Sequence, residues 1–148
     1  MLRNLTLSFV CITTLGAHAQ LTITDSLNTA QIANLLEGLN VAVSNVTTTC
    51  DARAVGEFGG VSEIPFTQGI ILSTGAVDDA AGINMNTGTS TAFSLVGDPD
   101  LDSLAAVPTT DACVIEFDCV PFGDTLLFNF AFASEEYPKF VGTFNDVF

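Results

Sequence analysis

Every second residue from Leu126 to Phe132 is large and apolar (Leu126, Phe128, Phe130, Phe132), and this alternation constrains the fold more than any other feature. A period of two puts those side chains on one face of a β-strand, and three phenylalanines on one face demand an apolar layer opposite. The pattern predicts a strand from Thr125 to about Ala133. Ser134, Glu135, Glu136 and Tyr137 then break it, so a rim or a site is expected where the strand stops.

The preceding residues supply an expected partner. Cys113, Ile115, Phe117 and Cys119 share a face of a strand over 113–120, and Pro121-Phe122-Gly123-Asp124 has the residues of a tight turn, which predicts a hairpin. GIILSTG at 69–75 reads as a buried strand bounded by glycines, Val41, Val43 and Val46 among Thr and Ser as another, and a last strand is expected from near Thr143. One helix is convincing. Asn28-Thr29-Ala30-Gln31 has the form of a capping box, Ile32, Leu35, Leu36 and Leu39 follow at helical spacing, and Gly38 offers a stop. Residues 76–110, with Gly82, Gly88, Gly97, Pro99 and Pro108, read as long loops holding at most a short helical turn. The expected fold is all-β or β-dominated: a two-layer β-sandwich with one short N-terminal helix packed on it.

Arg3, the apolar stretch Leu5 to Leu15 and the small residues around His18 in Ala17-His18-Ala19 compose a signal peptide over 1–19, with cleavage before Gln20. The apolar stretch is shorter than the roughly 20 residues of a transmembrane helix, and no later stretch reaches that length. Val10 argues against lipid attachment at Cys11. Residues 20–148 then form one domain carrying 17 acids against Arg53 and Lys139, a net charge of about −15, one unit beyond the −14 of the full chain because Arg3 leaves. So acidic a chain excludes nucleic acid and anionic lipid as expected partners, since both need Lys and Arg to neutralise phosphate. Cations are its natural counterpart, although excess acid also serves solubility.

Cleavage leaves Cys50, Cys113 and Cys119, an odd number for an oxidising compartment. Six residues of straight strand hold Cys113 and Cys119 about 20 Å apart, far beyond the ~7 Å a disulfide tolerates. Cys50 is therefore the expected partner of one or the other, with three buried free thiols as the alternative. With no CxxC and no histidine after residue 18, zinc is not expected.

VGEFGG at 55–60, GIILSTGAV at 69–77, GDPDL at 97–101, IEFDCVPFGDTLLFNFAFASEEYPKFV at 115–141 and FNDVF at 144–148 run in an order that resembles the choice-of-anchor L domain. The resemblance implies an exported bacterial protein whose relatives carry differing C-terminal sorting or anchoring signals. It implies no activity, ligand or catalytic residue. Against that pattern the domain over 20–148 is expected to be incomplete on its C-terminal side, with surface anchoring left to a further region.

The sharpest candidate site follows from a hairpin turning around Phe140 to Gly142, which would oppose Glu136 and Asp146. Opposed carboxylates need a cation, a shared proton or exposure at a rim. Oxygen-only donors favour calcium, with Glu136, Asp146, Glu135 and Asn145 as ligands. Asp98, Asp100 and Asp102 form a second, weaker calcium candidate: they have D-x-D-x-D spacing, yet Ser103 stands where an EF-hand needs Gly and Thr109 where it needs Glu. A helix-capping acidic loop is the plainer reading there; Asp78 and Asp79 would join only if the loops converge. His18 leaves with the signal peptide, which removes Ser-His-Asp and Cys-His catalysis, and no P-loop or dinucleotide fingerprint occurs. The expected function is a secreted or cell-surface, non-enzymatic module that binds a glycan or protein ligand through its loops and is stabilised by calcium. The competing expectation is a secreted, glycosidase-like hydrolase with Glu136 and Asp146, or Glu135, as acid and base.

Overall fold

The computed structural model describes residues 21–62, 64–143 and 146–148; the expected signal peptide over 1–19, its expected cleavage before Gln20, and Asn145 lie outside them. Leu21 and Ile23 alternate with Thr22 and Thr24 in β1 (Leu21–Asp25), and both face inward, half-buried. β1 pairs antiparallel with β3 (Val55–Gly60), which pairs on its other side with β4 (Gln68–Leu72), giving a sheet of order β1-β3-β4. The central strand carries the core residues Val55 and Phe58. Gly56 between them is required by close approach: a Cβ there would lie 2.8 Å from the Thr24 carbonyl oxygen and 2.9 Å from the Val77 side chain.

The second sheet pairs β2 (Val41–Thr48) antiparallel with β5 (Ile115–Pro121). Val41 lies opposite Pro121 and Ser44 opposite Asp118, but Thr47 lies opposite Glu116, so the register slips by one residue at Asn45 and Val46. This is a β-bulge. Asn45 adopts φ 53°, a left-handed conformation that asparagine tolerates, and its Nδ2 donates to Asp118 Oδ2 at 2.6 Å. Beyond the bulge the Thr49 N–H donates to the Val114 carbonyl, and the next facing pair in the shifted register is Cys50 with Cys113. They form a disulfide with Cα atoms 4.6 Å apart. In the unshifted register Cys50 would face Ala112. Cys119 lies opposite Val43 as an exposed free thiol, so Cys113 and Cys119 are not bridged, as strand geometry requires.

Helix α1 (Thr29–Leu36) begins at the expected capping box: the Asn28 side chain accepts from the Gln31 N–H, and the Gln31 side chain accepts from the Asn28 N–H, each at 3.0 Å. The helix packs against β2 of one sheet and β4 of the other, and its Ile32 is 1% exposed. With Ala54, Val55, Val77 and Ala112, Ile32 makes the buried centre. Two antiparallel sheets and two short helices give a strand-dominated fold of the β-sandwich class.

Several details depart from the sequence-based expectation. The expected hairpin of 113–120 with 125–133 does not form, because β5 pairs with β2 and the ladder runs on: the Phe122 N–H donates to the Asn40 carbonyl at 2.8 Å. Residues expected to reverse the chain thus close the β2–β5 pair, and 125–133 joins no ladder. GIILSTG is half-buried rather than buried because β4 is the outer strand of its sheet. Strand β1 was not foreseen, and 76–110 holds a seven-residue helix, α2 (Pro99–Ala105), besides a 3-10 turn at Val77–Ala80. The last expected strand is not seen: Thr143 lies in a turn and 146–148 join no ladder, while Phe144 and Asn145 lie outside the described residues.

Candidate functional site

After the phenylalanine segment the chain folds into consecutive turns over 135–143. The Lys139 N–H donates to the Glu136 carbonyl, Val141 to Pro138 and Thr143 to Phe140, at 2.9, 3.3 and 2.9 Å, while the Ser134 hydroxyl accepts from the Glu136 N–H at 3.3 Å. This winding brings Ser134, Glu136, Tyr137, Phe140, Val141 and Asp146 around one pocket of about 170 Å³. Glu136 is half-buried and Asp146 exposed. The two carboxylates named from the sequence thus line a common pocket, through a coil of turns rather than an opposed strand pair. The volume lies below the roughly 300 Å³ at which pockets begin to enclose drug-sized ligands, leaving room for a hydrated cation or the edge of one ring.

Glu135 does not line this pocket. Its carbonyl accepts from Asn84 Nδ2 at 2.5 Å, tying the turn to a loop in which Thr89 Oγ1 donates to Asn84 Oδ1 and the Gly88 N–H to Asn86 Oδ1, each at 3.0 Å. Among the described residues no three His, Cys, Asp or Glu side chains converge to hold a metal. Glu136, Asp146 and the hydroxyls of Ser134 and Tyr137 offer only oxygen donors, the type a hard cation takes, though calcium completes six to eight ligands.

Asp98, Asp100 and Asp102 lie at and within α2. Asp98 caps the helix, its Oδ1 accepting from the Asp100 and Leu101 N–H groups at 2.9 and 3.3 Å, with Pro99 in the first turn. Asp102 Oδ1 accepts from the Thr109 N–H at 2.5 Å and the Thr109 hydroxyl at 2.7 Å. The backbone bond, then the hydroxyl bond, holds the Asp102 carboxyl below the usual carboxylate range against a small opposing effect of desolvation. Asp100 is exposed. Asp79 Oδ2 accepts from the Thr91 hydroxyl at 2.6 Å, binding one loop to another.

Sequence reasoning missed Phe140 and Val141 as pocket walls; their signal was an apolar pair inside an otherwise polar turn. It also missed Asp111, whose carboxylate accepts from the Phe93 and Leu95 N–H groups at 3.2 and 2.6 Å and so shapes the long loop.

Fold and site together define a disulfide-stapled β-module with a shallow, carboxylate-walled pocket beside exposed aromatic rings. Residues 20–148 match the choice-of-anchor L domain, and the chain belongs to that family of surface-associated modules. No curated protein and no solved structure matches the chain. Among the described residues no helix is long and apolar enough to cross a membrane.

Proposed function

We propose that this chain is an exported, non-enzymatic binding module that takes a glycan or protein ligand at the 134–141 turn, with calcium held between Glu136 and Asp146. The observation that carries this reading is the shared pocket, where two carboxylates stand beside Tyr137 and Phe140. Ring faces stack on the apolar face of a sugar or on another side chain, while carboxylates accept hydrogen bonds or share a cation. The same two carboxylates would also suit an acid and base pair, which is the competing reading.

Thermal melting tests the cation. With a dissociation constant of about 0.1 mM, as in weaker extracellular sites, 10 mM calcium stabilises the folded chain by about 2.7 kcal/mol. Magnesium and matched sodium chloride control for screening of so acidic a surface. Asp146→Asn removes the calcium-specific shift and leaves the fold intact. Equal responses to calcium and magnesium, or an unchanged response in Asp146→Asn, would refute the cation. For the ligand, Tyr137→Ala loses whatever glycan or protein the parent retains in an array screen.

A further inference from the structure

The segment 125–133 is a run of exposed apolar side chains that joins no strand of either sheet. Phe128, Phe130 and Phe132 are 67%, 65% and 61% exposed, and the Phe148 ring stacks on Phe130 with centroids 5.3 Å apart. Side chains of this size carry about 150–250 Å² each, so the three phenylalanines alone show on the order of 400 Å² to water, a patch size that marks interaction surfaces. No hydrogen bond among the described residues engages the backbone of 126–133. Unpaired N–H and C=O groups beside alternating apolar side chains are what an added strand uses.

Charge decides between occupants. Residues 125–134 carry no charged side chain, but Asp124 stands at one end and Glu135 and Glu136 at the other. Pairing two copies in parallel register sets Asp124 beside Asp124 and Glu135 beside Glu135; antiparallel pairing about Asn129 sets Asp124 opposite Ser134 and diagonal to Glu136. Like charges meet either way, between molecules whose formal net charge is −14 over the full sequence. An occupant with cations at its ends meets opposite charge instead.

We propose that 125–133 is a docking edge for an extended segment of another polypeptide, apolar at alternate positions and flanked by Lys or Arg. This surface adjoins the pocket at Ser134 and Glu136, but residues 125–133 and Asp124 lie outside that pocket. The probe is a labelled nine-residue peptide alternating valine and threonine with two lysines added at each end, titrated into the full chain by fluorescence anisotropy. It binds, and the same peptide with glutamate ends binds at least tenfold more weakly. Asp124→Lys narrows that difference. Phe130→Ser, at an exposed position, weakens binding at least tenfold with an unchanged melting temperature, and so does Ala131→Pro, which removes an N–H donor but no aromatic ring. Asp146→Asn binds the peptide as the parent does, even where its calcium response is lost. Equal binding of lysine-ended and glutamate-ended peptides, or full binding by Ala131→Pro, overturns the proposal. Concentration-dependent dimerisation in sedimentation that the lysine-ended peptide does not compete with overturns it too, and assigns the edge to a second copy.

Discussion

Single carboxylates set much of the local geometry. Asp102 receives two hydrogen bonds from Thr109, and Asp51 caps the 3-10 turn at Ala52–Ala54, accepting from the Arg53 N–H at 2.9 Å with the Arg53 guanidinium beside it. For Asp51 the backbone bond from Arg53 does most to hold the carboxyl below its usual range; desolvation opposes it, and the side-chain bond and charge of Arg53 add to it. A carboxyl depressed in the folded state contributes stability above its unfolded value, and that contribution is lost as pH falls through the folded one. Asp102→Asn should therefore melt below the parent at pH 7, and the difference should shrink as pH falls through the folded-state value of the Asp102 carboxyl; melting curves from pH 7 downward check this. At Gly56 an added methyl group would meet the Thr24 carbonyl and the Val77 side chain, so Gly56→Ala should cost about 1–3 kcal/mol in urea unfolding.

Among the elements, the β2–β5 pair rests on one residue's conformation. Deleting Asn45 removes the extra residue of the bulge, sets Val46 opposite Phe117 and keeps Cys50 opposite Cys113, so non-reducing peptide maps should show the Cys50–Cys113 link in the parent and in the deletion alike. Cys50→Ser, which opens a linkage spanning 63 residues, should cost about 4 kcal/mol on a loop-closure estimate. The α1 cap was legible because its partners, Asn28 and Gln31, are neighbours in the chain. Strand faces were legible where a period-two run found a partner strand, as in Ile115 and Phe117, but not over 125–133, which alternates and joins no ladder. Strand partners were not: alternation says which side chains share a face, not which strand lies alongside, so β5 was assigned to the phenylalanine segment instead of β2. The bulge left only an asparagine as its sign. Asp98-Pro99 carried a plain helix-start signal, a capping side chain followed by proline, obscured by its calcium-loop spacing. Glu136 and Asp146 were named from the sequence; the turn walls Phe140 and Val141 were not, since they depend on how the chain winds between them.

At the scale of the molecule, acidity governs what it meets. With 17 acids against three bases, the chain should show no retention on anionic vesicles or duplex DNA in 150 mM salt, measured by co-sedimentation and gel shift. Exported material should begin at Gln20 on N-terminal sequencing. The disulfide also turns the stretch from Cys50 to Cys113 into a covalent ring that contains β3, β4 and α2. A protease that nicks the exposed loop near Asn84 to Gly88 opens that ring without releasing a fragment, so the cut protein keeps its mass on a non-reducing gel and parts into two pieces only after reduction. Outside a cell, where proteases are met and reductants are scarce, a single cut in that loop leaves both halves of the molecule tethered.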